Sequence, residues 1–154
     1  MAQADIALLK KLRAETGASI IDCRVSLEET NNDSAKAKEW LKKRGLEKAE
    51  KKSDRATSQG MIEAYIHNGR IGVLVELLCE TDFVAKTDDF KKLAKEIAMQ
   101  VSAMDPKDVK ELLKQEYIRD ASQTMEQVIK SVIGKLGENI TIKRFERLEI
   151  GKEK

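Results

Sequence analysis

The residues Thr81-Asp82-Phe83-Val84 place an aromatic side chain where the chain is expected to turn from a strand into a helix. They follow an apolar run over 71–79 and precede a helical pattern that opens near Thr87. A phenylalanine at such a corner either packs back onto its own subunit or is offered to a partner. Burying the ring is worth only about 1.5–3 kcal/mol, while an exposed ring risks aggregation. The motif therefore indicates recognition of another protein, with a buried corner residue as the equal alternative.

Side chains arranged for catalysis are not recognisable in the pattern. Enzymes use a nucleophile with a base, paired carboxylates in a pocket, or a metal cluster. His67 is the single histidine and lies beside a predicted hairpin turn, which favours an exposed residue over a catalytic or metal-binding one. The eight glycines are scattered and form no phosphate-binding loop. We therefore expect no enzyme activity, cofactor or metal.

The composition predicts a small cytoplasmic protein. Its 154 residues, 41% of them hydrophobic, suit one domain or one domain with a small appendage. The 29 basic and 27 acidic residues nearly cancel, which gives no reason to expect nucleic acid as a partner. Cys23 and Cys79 lie in apolar periodic segments and are expected to be reduced and buried. No segment approaches the roughly 20 apolar residues that cross a membrane.

Residues 1–45 predict a bundle of three short helices. Gly17 and Gly45 are expected to end the first and third helices, and Ser19 can cap the second. The predicted apolar stripes are Ile6, Leu9 and Leu12, then Ile20, Cys23 and Leu27, then Ala37, Trp40 and Leu41.

Residues 46–58 predict a basic linker, in helical or extended form, because the apolar repeat nearly vanishes after Gly45. The residues that could contact phosphates are Lys48, Lys51, Lys52 and Arg55. Acidic residues dilute this charge and no aromatic side chains interleave with it, so a solvated linker is favoured.

Residues 59–154 predict a sheet backed by helices. Two strands over 61–67 and 70–79 flank Asn68-Gly69, the pair suited to a type I′ turn. In the second strand one set of alternating side chains should face the core. The last strand, 140–150, has an apolar alternation that changes partway, so a bulge is possible.

Helical patterns fill the interval between these strands. A long amphipathic helix starts at Thr87 or Asp88 and stops before Asp105-Pro106. A weaker helix over 107–117, a polar stretch and a helix closed by Gly137 follow. The apolar stripe of the long helix is Phe90, Leu93, Ala94, Ile97, Val101 and Met104. The fold class is α+β, with a three-helix bundle followed by a three-stranded antiparallel sheet.

Three motifs carry a resemblance to a known family. They are LRAETGA at 12–18 with Asp22-Cys23, CETDFVA at 79–85 and KLGENI at 135–140. In this order they resemble elongation factor Ts, the guanine-nucleotide exchange factor of elongation factor Tu. The resemblance implies a ubiquitin-associated-like (UBA-like) domain over 1–45 and a dimerisation core over 59–154.

The resemblance also implies roles for individual residues. Phe83, with Thr81, Asp82 and Val84 beside it, would enter between two helices of elongation factor Tu and disturb its magnesium and GDP site. The segment with Leu136 and Gly137 would approach the same surface. The bundle would dock on the GTPase domain through Leu12, Arg13, Ile20 and Ile21, although core packing is the alternative for Leu12 and Ile20.

The chain also departs from longer members of the family. Longer members carry two related halves of the core and a protruding helical hairpin. This chain has room for one half only, and 107–124 is too short for the hairpin. A second copy is expected to supply the missing half, as a homodimer. Because 145–147 contains no cysteine, we expect this dimer to be noncovalent. The rival hypotheses are a UBA-like adaptor without exchange activity and, less favoured, an RNA accessory protein that uses 35–55.

Overall fold

The computed structural model describes residues 2–153. Its helices are α1 (Ile6–Thr16), α2 (Ile20–Glu29), α3 (Ser34–Lys51), α4 (Asp82–Ala85), α5 (Asp88–Met104), α6 (Val109–Lys114) and α7 (Met125–Leu136). Its strands are β1 (Gln59–His67), β2 (Ile71–Cys79), β3 (Glu116–Tyr117), β4 (Asp120–Thr124) and β5 (Ile140–Glu149). The α+β prediction is confirmed. Among the helices that residues 2–153 form, none combines the length and apolar composition that crossing a bilayer requires.

The first three helices pack around a small core of their own. Gly17 ends α1 in the left-handed conformation, with φ of 67°, and the Ser19 side chain caps α2 by accepting from the Asp22 N–H. Ile20, predicted to belong to the core stripe, is 51% exposed. It is the first residue of α2 and lies about one helical turn before Cys23, the first buried residue of that helix. The core residues are Leu12, Cys23, Leu27, Ala37 and Leu41.

Helix α3 continues through Gly45 to Lys51, so the prediction that Gly45 ends it is wrong. The reason is a close crossing with α7. A Cβ added at Gly134 would lie 2.8 Å from the Gly45 Cα, which means that the two backbones are in contact. Ala49, one turn further along α3, is buried in a second core, which is formed mainly by β2, α5 and α7. This packing outweighs the roughly 1 kcal/mol cost of a glycine inside a helix. The segment predicted as a linker is therefore helical through Lys51.

The sheet has the order β1-β2-β5, and both pairs are antiparallel. Asn68 and Gly69 have φ of 50° and 66°, as the predicted type I′ turn requires. The predicted bulge is confirmed in β5, because Arg144 pairs with Glu76 while Ile142 pairs with the next residue of β2. Lys143 is the extra residue.

Helices α5 and α7 contribute most of the helical side chains of the second core, which lies on one face of the sheet. As predicted, alternate side chains of β2 point into it. Met104, predicted in the buried stripe of α5, is instead 47% exposed, since it is the last residue of that helix. The main contributors are Val73, Val75 and Leu77 from β2, Phe90, Leu93, Ile97 and Val101 from α5, and Met125, Ile129 and Ile133 from α7.

The segment between α5 and α7 contains a two-stranded hairpin, β3-β4, that the sequence pattern did not predict. Gln100, fully buried in α5, holds this hairpin in place. Its Nε2 donates to the Glu116 carbonyl oxygen at 3.0 Å, and its Oε1 accepts from the Ile118 N–H at 2.9 Å. A side chain from a separate helix thus satisfies backbone groups that the local pattern leaves open.

The helix crossing predicts opposite effects for two alanine substitutions. Gly45→Ala should raise the free energy of unfolding by about 0.5–1 kcal/mol, because no atom lies within 4 Å of the added Cβ. Gly134→Ala should lower it by about 1–3 kcal/mol, because its Cβ meets the Gly45 backbone. Urea unfolding followed by far-ultraviolet circular dichroism measures both. Equal stabilisation by the two substitutions would contradict the close crossing.

Candidate functional site

Phe83 lies on α4, a single helical turn between β2 and α5, and its side chain is 83% exposed. Thr81 is the N-cap of this turn, and its Oγ1 accepts from the Val84 N–H at 3.4 Å. Ala85 is buried, and Val84 is half-buried against the second core. One side of α4 is therefore held by the core while the Phe83 ring projects into solvent. Asp82 is exposed and pairs with Lys86 at 3.4 Å.

Two glutamates join the segment around Phe83 to the segment that follows α7. The Glu138 carboxylate accepts from the Thr81 N–H at 3.0 Å and from the Thr81 hydroxyl at 2.7 Å. In return, Glu80 accepts from the Asn139 N–H at 2.8 Å. The structure thus brings the CETDFVA and KLGENI motifs into contact. Sequence analysis gave no role to these glutamates, although their positions inside the two motifs could have indicated one.

Leu136 and Gly137, predicted to approach the same surface as Phe83, end α7 immediately before Glu138. Leu136 is half-buried against the second core, and Gly137 is exposed. Gly137 adopts the left-handed conformation, with φ of 79°, and its N–H donates to the Ile133 carbonyl oxygen at 2.8 Å. This turn directs the chain from α7 towards the Thr81 backbone.

The bundle exposes three of the four residues predicted to dock on a partner. Arg13 is exposed, and Ile20 and Ile21 are 51% and 67% exposed. Leu12 is only 2% exposed and belongs to the bundle core, so it does not offer a contact surface. For Leu12 the core alternative is therefore correct, and for Ile20 it is not.

Lys135 links the bundle to the region near α4. Its Nζ pairs with the Asp89 carboxylate at 3.2 Å, in the first turn of α5. Its aliphatic stem covers Gly17, where an added Cβ would overlap it. Close by, Asp22 pairs with Lys48 of α3. Burial raises the pKa of Asp22, but the hydrogen bonds from Lys48 and Ser19 outweigh burial and leave this pKa below its usual value.

The two cysteines are free and buried, as predicted. Cys79 donates its thiol to the Thr81 carbonyl oxygen at 3.1 Å, and burial raises its pKa. Burial likewise raises the pKa of Cys23. Both residues therefore stay thiols near neutral pH and act as packing residues.

Residues 2–153 contain no group of three or more histidine, cysteine, aspartate or glutamate side chains placed to hold a metal ion. His67 is exposed at the end of β1, where its Nδ1 lies 2.9 Å from the Tyr65 hydroxyl. What the described chain presents is an exposed aromatic ring on a short helix and an exposed pair of isoleucines on the bundle. This arrangement suits contact with another protein.

Comparisons with known proteins point to one family. The profile described as "Elongation factor TS" matches residues 80–154, and the profile described as "Elongation factor Ts, mitochondrial, N-terminal" matches residues 1–51. The chain is 43% identical to elongation factor Ts of Coprothermobacter proteolyticus, over 94% of this chain and 96% of that protein. It is 43% identical to elongation factor Ts of Thermotoga maritima, over 94% of each chain.

The same comparisons show that this chain lacks an internal part of its relatives. The alignment with the Coprothermobacter proteolyticus protein spans 190 positions, 36 more than the 154 residues of this chain. At least 36 residues of that relative therefore have no counterpart here.

The different burial of Leu12 and Ile21 leads to a prediction for the bundle. Leu12→Ala should lower the free energy of unfolding of the bundle by about 2–5 kcal/mol. Ile21→Ala, at an exposed position, should change it by less than about 0.5 kcal/mol. Trp40 is the single tryptophan and packs against the bundle core, so its fluorescence during urea unfolding reports on this unit. Similar losses from both substitutions would contradict the assignment of Leu12 to the core.

Proposed function

Because this chain belongs to the elongation factor Ts family of translation elongation factors, we propose that it binds elongation factor Tu with GDP and promotes release of the GDP. The observation that carries the proposal is the Phe83 ring, 83% exposed on a helical turn whose other side is fixed in the core. The protein acts as an exchange factor in the cytoplasm and carries out no covalent chemistry itself.

Phe83 acts as a wedge. It binds a conformation of elongation factor Tu in which magnesium and the phosphates of GDP are held poorly. The wedge and the nucleotide then weaken each other's binding by the same factor. Burying one phenylalanine supplies about 1.5–3 kcal/mol, which corresponds to about one to two decades in affinity. Larger acceleration requires other contacts, and Arg13, Ile20 and Ile21 on the bundle are available for them.

The alternative is that the bundle is a UBA-like adaptor that binds proteins without releasing nucleotide. The exposed pair Ile20 and Ile21 supports this second candidate, since neighbouring exposed apolar residues mark interaction sites. The two functions differ in one measurable respect, which is whether GDP leaves elongation factor Tu faster when this protein is added.

The chain forms a noncovalent homodimer through the face of the sheet that the helices leave open. Ile62, Ile66, Leu74 and Leu148 on this face are each more than half exposed. They lie in successive rows across the three strands, because Leu148 and Ile66 both pair with Gly72 and Leu74 lies in the next row. A two-fold axis would place this apolar surface against the same surface of a second copy.

Phe83→Ala should slow the stimulated release of GDP by about one to two decades without abolishing it. Stopped-flow release of a fluorescent GDP analogue from elongation factor Tu measures the rate. Ile118→Ala is the matched control, because Ile118 is an exposed apolar residue in the turn between β3 and β4. An unchanged rate for Phe83→Ala would refute the wedge, and an absence of stimulation by the unaltered protein would favour the adaptor.

Leu74→Lys should convert the dimer to a monomer, because it replaces an apolar contact residue on the central strand of the open sheet face with a charged one. Light scattering should give twice the 17.4 kDa chain mass for the unaltered protein and the single mass for the variant. Ile118→Lys adds the same charge outside the sheet and should leave the dimer intact. A monomeric unaltered protein at working concentration would remove the dimer hypothesis.

A further inference from the structure

We propose that Glu138 is a positioning residue that fixes the start of α4 and so determines the direction in which Phe83 projects. The role rests on the proposed function of Phe83 as a wedge. Glu138 would not touch the partner's nucleotide site and would act only through Thr81. The interaction that defines it is the carboxylate contact with both donors of that residue.

A four-residue helix cannot hold its own position. Helical turns of this length gain too few hydrogen bonds to offset the ordering of their backbone. The ion pair between Asp82 and Lys86, the residue that follows α4, is exposed, with side chains 58% and 77% accessible, and contributes little. The location of α4 therefore depends on the core side chains below it and on the contacts that fix its N-cap residue, Thr81.

Glu138 fixes this N-cap residue through two charge-assisted hydrogen bonds. One carboxylate oxygen lies 3.0 Å from the Thr81 backbone nitrogen, and the other lies 2.7 Å from the Thr81 hydroxyl. Because the hydroxyl donates to Glu138, its lone pair is directed to the Val84 N–H. Glu138 thus sets both the backbone and the capping side chain of the residue from which α4 begins.

The residue that follows Glu138 is held by two further hydrogen bonds. Asn139, only 3% exposed, donates its backbone N–H to Glu80 at 2.8 Å. The Asn139 Nδ2 donates to the Arg55 carbonyl oxygen at 2.8 Å. Each glutamate therefore binds the residue that follows the other glutamate in sequence. This reciprocal pair, Glu80 to Asn139 and Glu138 to Thr81, prevents the two segments from sliding past one another.

We call this reciprocal pair of contacts, Glu138 to Thr81 and Glu80 to Asn139, the clamp. It solves a specific problem of an exposed wedge. A phenylalanine in solvent has no packing neighbours to select its orientation, so a mobile α4 would present the ring in many directions. Ordering it on binding would then reduce the affinity. A clamp in the free protein removes that cost before the partner arrives. On this basis, loss of Glu138 should slow the stimulated release of GDP only while Phe83 is present.

Two measurements test the role of Glu138. In the free protein, Glu138→Ala should speed hydrogen exchange of the Thr81 and Val84 amides by about tenfold or more. In GDP release from elongation factor Tu, Glu138→Ala should slow the stimulated rate by about tenfold, but by less than about twofold when Phe83→Ala is also present. Glu126→Ala, which removes an exposed glutamate of α7, is the control and should change neither quantity.

Each outcome distinguishes the clamp from the wedge. Unchanged amide exchange overturns the clamp, whatever the release rates are. Faster amide exchange with equal loss of release in both backgrounds overturns the positioning of Phe83. If Phe83→Ala alone leaves release unchanged, the wedge is wrong and the positioning role falls with it, while amide exchange still decides whether the clamp exists. Should Glu138→Ala fail to fold, Glu138→Gln carries the same measurements, with partial effects expected because the amide keeps one acceptor.

Discussion

The contact between α3 and α7 at Gly45 and Gly134 is the constraint on which the arrangement of the molecule depends. The two helix backbones can approach this closely because Gly134 carries no side chain, since a Cβ there would meet the Gly45 backbone. The crossing carries α3 onto the second core, where Ala49 is buried and Glu50 pairs with Lys130 at 3.5 Å. Without it, the first three helices would connect to the sheet only through residues 52–58. The bundle and the sheet are therefore held together by packing as well as by chain connectivity.

The region around Phe83 meets two opposing requirements with two kinds of interaction. An aromatic ring that is offered to a partner must stay out of the core, so burial cannot orient it. Hydrogen bonds supply the missing order, since Glu138, Thr81 and Asn139 connect segments distant in sequence. Polar interactions of this kind are directional, whereas apolar packing is not. The core holds one side of α4, and the polar network fixes where α4 starts.

The segment between α5 and α7 is ordered as the helix α6 and the β3–β4 hairpin. Gln100 is the residue that makes this possible, because its amide group pairs with the backbone of the β3 segment from both its donor and its acceptor. The Tyr117 hydroxyl adds a bond to Glu96 at 2.7 Å. Burial, followed by this bond, raises the pKa of Tyr117 to about 12, so the hydroxyl remains a donor throughout the physiological range.

The sequence by itself determined the features that depend on neighbouring residues: the turn at Asn68-Gly69, the helix ends at Gly17 and Gly137 and the alternation of β2. The motifs also identified the family. Only the tertiary structure decided that α3 runs through Gly45, that Leu12 is buried while Ile20 is not, and that Glu138 binds Thr81. Helix ends and turns follow from local backbone preferences, which residue types report directly. Burial and pairing depend on side chains that approach across the fold, as do Thr81 and Glu138, which lie 57 positions apart.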